Sequence, residues 1–350
     1  MIRIGIICPS EIAFRRFMPA LSLEDNFEFV GIGVNSICER FGEKIPSKEV
    51  VEEIMQQEYS KAKNFIDNYG GKIFDGYEAI INSDEVDAVY IPLPPALHFK
   101  WAKRALEAGK HVLVEKPSTV SESMTKELVD LANKKSLALH ENYMFTFHNQ
   151  LQAINNIIAK GDIGDVRLYS IKFGFPQREL NDFRYNKELG GGALIDAGGY
   201  TIKYASMLLG NEVKITCANM NYIDKFEVDM YGSATLVNEL GETAQIAFGM
   251  DNSYKCELEV WGSKGVLKTG RVLTAPVDFI PSASIIKGNE NIEIKLPADD
   301  SFLKSIIHFR KCIEIDSIRE ESYKVIEKQA KLVESFREKS YEIKNRFNLE

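Results

Sequence analysis

Over roughly the first 145 residues, short apolar runs rich in Val and Ile alternate with stretches whose apolar residues recur every three or four positions. This is the pattern of a parallel sheet wrapped by helices. The runs predict strands over Ile2 to Ile7, Phe27 to Val34, Lys72 to Phe74, Asp87 to Ile91, His111 to Val114 and Leu137 to His140. Between them, Leu97, Trp101, Ala105 and Ala108 share one helical face, as do Met124, Leu128 and Leu131, with Ser121 placed to cap the second helix. A longer helix is predicted from Lys48 to Tyr69. Six strands with helical crossovers predict a doubly wound sheet that takes a dinucleotide at the carboxyl ends of its strands.

The pattern changes at Glu141-Asn142-Tyr143-Met144-Phe145-Thr146-Phe147-His148, and longer alternating runs follow. Val166 to Phe173, Val213 to Tyr222, Gly232 to Val237, Ala244 to Met250, Cys256 to Trp261 and Ile292 to Leu296 predict a mainly antiparallel sheet, interrupted by one helix that holds Gly190 to Tyr200. A charged helix from Ser301 to Lys344, broken near Ile315 to Ile318, is expected to pack back on the first domain. The fold class is therefore α/β, with a nucleotide-binding domain over 1–145 and an α+β domain over 146–350. A chain of 350 residues suits two domains, because single cores rarely grow beyond about 250 to 300 residues.

Composition narrows the function classes. At 45% hydrophobic and 27% charged the chain reads as an ordinary globular protein, and no apolar run approaches the length of a membrane span. Met1-Ile2-Arg3-Ile4-Gly5 enters a strand at once without a signal-peptide layout, so the expected location is the cytoplasm. A net charge of −8 argues against nucleic acid as a partner. The five cysteines are scattered and form no CxxC pair, so the spacing predicts neither a disulfide framework nor a metal site.

The candidate chemistry centres on His111-Val112-Leu113-Val114-Glu115-Lys116-Pro117, where an apolar strand stops at a charged pair and a proline. Glu115 and Lys116 then stand at the ligand-binding edge of the sheet. The first strand turn carries Cys8-Pro9-Ser10-Glu11-Ile12-Ala13 where GxGxx(G/A) normally lies. Either this loop no longer binds phosphate, or the Ser10 hydroxyl caps the helix while its amide faces the phosphate. The second strand ends in Asn35-Ser36 without the acid that holds a ribose in NAD-selective proteins; Arg40 lies close by, and the expectation leans to NADP over NAD. Pro92-Leu93-Pro94 shapes the turn expected beside the nicotinamide, and His98 after it is either a packing residue or an acid-base group. In the later helix, Asp196 and Tyr200 lie four apart, so a carboxylate and a phenol share one face. Arg184, before the glycines, could meet an anionic substrate or be a plain surface arginine.

Glu115-Lys116-Pro117 at a strand end, Pro94 to His98 before it, Glu141 to His148 at the crossover, and Gly190-Gly191-Gly192-Ala193-Leu194 followed by Asp196 and Tyr200 resemble the glucose-fructose oxidoreductase and inositol dehydrogenase family. The resemblance covers nearly the whole chain. It implies a Rossmann domain followed by an α+β domain whose open sheet often builds a homodimer or homotetramer, and NAD(P)-dependent hydride transfer on a sugar-like alcohol or carbonyl. By the same resemblance Lys116 contacts substrate and helps hold or donate the proton, and Asp196 orients the reacting group; Tyr143, Phe145 and Arg184 are candidates for substrate binding. Tyr200 stands where many members have histidine, and resembles the branch with dihydrodiol dehydrogenase and the nucleotide-sugar 3-ketoreductases. The loop from Cys8 to Arg16, with Pro19-Ala20-Leu21 after it, is similar to that of the ketoreductases of deoxysugar biosynthesis. A keto-sugar reductase is thus the leading expectation, a catabolic NAD-dependent dehydrogenase the second, and a non-catalytic sugar-responsive protein the third.

Overall fold

The computed structural model describes residues 1–210 and 212–347; residues 211 and 348–350, the latter at the end of the expected second domain, lie outside the described residues. The chain divides into two units. The first comprises Met1–Thr119, Ser123–Asn142 and Ser305–Glu327, and the second Val120–Glu122, Tyr143–Lys304 and the chain from Lys328 onward.

The first unit is built on a six-stranded sheet: β1 (Ile2–Ile7), β2 (Phe27–Val34), β3 (Lys72–Asp75), β4 (Ala88–Ile91), β5 (His111–Val114) and β6 (Leu139–Glu141). The order is β3-β2-β1-β4-β5-β6 and every pairing is parallel. The order reverses between β1 and β4, which is where doubly wound sheets open a ligand crevice. Continuous apolar strands suit a sheet covered on both faces. Val89, Ile91, Val112 and Val114 are buried against Trp101, Leu106 and Leu128 of the crossover helices Pro95–Glu107 and Glu122–Lys134. Residues 305–327 complete this core: Tyr323 and Ile326 belong to the same buried cluster, and the Ser322 hydroxyl donates to the Leu139 carbonyl at 3.2 Å.

The expected helix break falls at Ile315, between helices Ser301–Glu314 and Asp316–Phe347. Arg319 secures it by donating to the Cys312 and Ile313 carbonyls, each at 3.3 Å, which the end of the first helix leaves without partners in the helix. The last strand begins later than predicted. Ser136 takes a φ of 55° and Leu137 donates to the Ala132 carbonyl at 2.9 Å, so Leu137 closes the preceding helix before β6 starts.

The second unit holds an eight-stranded sheet: β7 (Val166–Gly174), β8 (Val213–Tyr222), β9 (Asp229–Asn238), β10 (Thr243–Gly249), β11 (Lys255–Gly262), β12 (Val266–Gly270), β13 (Ser282–Lys287) and β14 (Glu290–Lys295). Its order is β14-β13-β12-β11-β7-β10-β9-β8, antiparallel throughout except for the parallel pair β7 and β10. β12 and β13 were not predicted; both are short, and Ser282-Ala283-Ser284 offers little β-propensity until its ladder partners are in place. Helix Asn149–Ala159 precedes the strands, one α-helix, Gly199–Leu209, interrupts them, and the part of helix Asp316–Phe347 from Lys328 onward also belongs to this unit, with Phe336 against Phe248 of β10. Gly190 to Gly192 lie ahead of the interrupting helix in a loop, not inside it. One face of the sheet buries Met230, Ala234, Leu236, Ile246, Leu258 and Val260, while Tyr231, Ser233, Gln245, Lys172 and Trp261 point the other way.

Candidate active site

At the end of β5 the Glu115 carboxylate is tied down by its neighbours. Its Oε1 accepts from the Tyr90 hydroxyl at 2.7 Å and from Asn142 Nδ2 at 2.6 Å. Burial raises the Glu115 pKa, against the pull of these donors and of the Lys116 cation. Lys116 follows, half-buried, and its peptide bond to Pro117 is cis. Beyond it, Ser118 donates its amide to Glu141 Oε1 at 2.8 Å, so β5 and β6 are joined past the end of their ladder.

His98 is a correction to the acid-base reading. It is fully buried, with Nδ1 2.7 Å from the Pro117 carbonyl and Nε2 2.6 Å from the Leu93 carbonyl. Burial lowers its pKa to about 4, although the two carbonyls pull the other way and the Lys116 cation adds to the lowering. Both ring nitrogens face carbonyls, and a neutral ring donates to one of them, so His98 packs between the Pro92-Leu93-Pro94 turn and the segment after Lys116.

The phosphate loop keeps its turn without its glycine. Cys8 takes the first glycine position with a φ of 93°, a conformation that strains an L-residue. Burial pushes its thiol up to about 11, with Tyr77 as its side-chain partner opposing. Ser10 Oγ accepts from the Ala13 amide at 3.2 Å, so the hydroxyl caps the helix as expected. Its own amide donates to the Cys8 carbonyl at 2.9 Å across Pro9, a tight turn that corrects the expectation of an amide facing phosphate. Glu11 pairs with Arg15 on the exposed side, and Ile12 is exposed next to it.

At the end of β2, Asn35 is buried and its Oδ1 has no hydrogen-bond partner among the described residues. Such an orphaned acceptor fits a ribose hydroxyl. The nearest acid is turned away from this edge. Glu39 closes a capping box with Ser36 and also accepts the Tyr77 and Glu78 amides at 3.0 and 2.9 Å. Arg40, one residue on, is exposed.

In the second unit, Tyr200 sits in the first turn of the Gly199–Leu209 helix, 8% exposed, within an aromatic cage. The rings of Tyr143, Phe145 and Phe173 lie 5.3, 5.6 and 5.4 Å from its own. Tyr143 and Phe145 are only 1% and 2% exposed, so both orient Tyr200 rather than present a surface to substrate. Arg184 is held by carboxylates rather than left open to an anionic substrate. Arg184 Nε donates to Asp196 Oδ2 at 2.6 Å and its NH1 to Asp182 at 3.1 Å. Burial disfavours the guanidinium cation, yet the two carboxylates outweigh this and raise its pKa. Arg184 thus acts as a brace on Asp196, its charge already matched by carboxylates.

The glycine run has a steric cause. A Cβ on Gly191 would lie 2.3 Å from the Arg184 carbonyl oxygen, and one on Gly192 2.3 Å from Asp229 Oδ1. Two residues near the site escaped the sequence reading. Asp229, at the start of β9, accepts the Leu194 amide at 2.6 Å and fixes the π-helical turn Leu194–Gly198; burial raises its pKa to about 6. Gln329 donates to the Gly199 carbonyl at 2.9 Å. Neither carries a local motif, because both act across 35 and 130 residues of sequence.

Among the predicted residues, the structure brings together Glu115, Lys116 and His98 in the first unit, and Tyr143, Phe145, Arg184, Asp196 and Tyr200 in the second. A parallel sheet whose strand order reverses between β1 and β4 has the doubly wound topology of dinucleotide-binding proteins. The model of the oxidoreductase family with an NAD-binding Rossmann fold matches residues 27–143, and that of the GFO/IDH/MocA C-terminal domain matches residues 151–268. The chain belongs to the GFO/IDH/MocA family and is an NAD(P)-dependent oxidoreductase acting on CH–OH and C=O groups.

A dTDP-3,4-didehydro-2,6-dideoxy-alpha-D-glucose 3-reductase of Actinomadura kijaniata is 36% identical over 89% of this chain and 87% of its own length. Its counterpart in Streptomyces violaceoruber is also 36% identical, over 89% and 85%. The crystal structure of a 3-ketoreductase from Actinomadura kijaniata in complex with NADP and TDP-benzene is similar with a TM-score of 0.87 at 35% identity, over 96% of this chain and 97% of that one.

Proposed function

We propose that this protein is an NADP-linked reductase of a keto group on a nucleotide-linked deoxysugar, of the kind that its dTDP-sugar 3-reductase relatives act on, working in the cytoplasm. The observation that carries the reading is Tyr200: a nearly buried phenol, held by three aromatic rings, is suited to give one proton to one oxygen. A bound reduced nicotinamide would supply hydride to the carbonyl carbon. Tyr200 donates its proton to the oxygen that becomes negative. A phenol has a reference pKa of about 10, so it carries its proton at neutral pH and gives it up only to an oxygen that becomes strongly basic. Asp196, braced by Arg184, orients a sugar hydroxyl.

For the cofactor, the Asn35 amide would hold a ribose hydroxyl, and Ser36 and Arg40 the 2′-phosphate, since the Glu39 carboxylate is committed to three backbone amides. Fluorescence titration with NADPH and NADH tests this. Tighter binding of NADPH, lost by about tenfold in Arg40→Ala with NADH unaffected, is the expected outcome. Preference for NADH would favour a catabolic dehydrogenase, and binding of neither a non-catalytic protein. The outward face of the eight-stranded sheet, with Tyr231, Trp261 and Gln245 exposed, is proposed as a homo-oligomer interface; sedimentation of Trp261→Asp should show dissociation.

A further inference from the structure

We propose that His140, His308 and Cys312 form a binding site for a divalent cation of the zinc class, independent of the reductase reading. β6 supplies His140, and helix Ser301–Glu314 supplies His308 and Cys312, which are four apart and so lie on one helical face. One ligand atom from each of the three lies within 4.8 Å of the other two. Tetrahedral zinc with N and S bonds of about 2.0–2.3 Å places its ligands about 3.4 Å apart, so side-chain adjustments of an ångström or so close the site. The two imidazole rings are tilted by 51° with centroids 5.3 Å apart.

The donor chemistry selects the metal. Two imidazoles and a thiolate suit zinc, cobalt or copper and not calcium or magnesium, which take oxygen. His140 and Cys312 are buried, whereas His308 is partly exposed, giving the ion an entry path and a fourth position for water. Binding is balanced by the loss of the Cys312 thiol proton to solvent as the metal–sulfur bond forms.

An outer hydrogen-bond chain prepares His140. Asn142 donates Nδ2 to Glu115, which fixes the amide so that its Oδ1 accepts the Ser305 hydroxyl at 2.7 Å. Ser305 has one hydrogen, so at 2.9 Å its oxygen accepts from His140 Nε2, and the lone pair of the neutral ring sits on Nδ1. A metal-binding histidine typically has its second nitrogen oriented in this way.

The test titrates the full-length protein with Co²⁺ and Zn²⁺ alone. One zinc per chain is expected by equilibrium dialysis, and the cobalt form should show a thiolate-to-metal charge-transfer band that Cys312→Ser abolishes. Ser305→Ala should weaken zinc binding by about 10- to 100-fold, and His308→Gln by more. Circular dichroism of the metal-free variants checks the fold. Absence of the band, or its full retention in Cys312→Ser, overturns the proposal. Should Cys312→Ser not fold, unchanged zinc affinity in His308→Gln overturns it, and a loss supports it.

Discussion

The carboxyl edge of the parallel sheet and the start of the Gly199–Leu209 helix hold their reactive groups in opposite ways. Beside Lys116 the restraint is polar: Tyr90, Asn142 and Glu115 form one hydrogen-bonded cluster, and His98 packs between two turns with its ring nitrogens facing carbonyls. Around Tyr200 the described restraint is largely aromatic: three rings pack on the phenol, Lys203 lies over the Tyr143 ring at 5.5 Å, and Arg184 is paired with Asp182 and Asp196. A polar frame sets direction because each bond has a partner and an angle; an aromatic frame sets position through shape and excludes water. In the proposed reaction the first suits a lysine that must be aimed, and the second a phenol that must be held in place while it gives up its proton.

The contrast breaks most severely by removing a wall of the aromatic frame. Phe145→Ala should lower stability by about 3–5 kcal/mol, read from urea unfolding, because a fully buried ring is lost. Next comes the group inside the frame. Tyr200→Phe keeps every ring contact and should reduce turnover by about 100-fold or more while leaving cofactor affinity intact; an unchanged rate would remove Tyr200 from the chemistry.

Asp229 tests whether a buried charge belongs in the second unit at all. Its folded pKa of about 6 lies above the ordinary carboxylate value, so the native state binds more protons and stability falls as pH rises from about 4 to 6. Asp229→Asn can still accept the Leu194 amide, and its stability relative to the parent should rise across that window by on the order of 2 kcal/mol. A difference independent of pH would contradict this. The smallest effect is expected in the first unit, where Cys8→Gly relieves a positive φ and should stabilise by about 1 kcal/mol in the same unfolding assay.

The polar edge was largely legible in the sequence because its determinants are local. A strand stopping at Glu115-Lys116-Pro117, a serine three residues before Ala13 and a capping box from Ser36 to Glu39 each act within a few positions. The aromatic cage was only half legible. Tyr200, Tyr143 and Phe145 were singled out, but their mutual contact joins segments more than 50 residues apart in sequence, and the burial that redirects Tyr143 and Phe145 from substrate to scaffold follows from that contact. Arg184 and Asp196 were assigned separate tasks because nothing in a sequence shows that two opposite charges are already paired. The His140, His308 and Cys312 group escaped for a related reason: the i,i+4 pair on the last helices is visible, but the third member lies 168 residues earlier than His308.

The return of residues 305–327 to the first unit has a consequence for how the chain is made. Tyr323 and Ile326, which belong to the core of the parallel sheet, follow the whole second sheet in the sequence. On the ribosome, strands β1 to β6 emerge complete but with one flank of their core uncovered, and must wait while the whole second sheet is translated. The nucleotide-binding half therefore starts before the second sheet and is completed after it, and a stall or truncation after residue 145 would release it with that apolar flank bare.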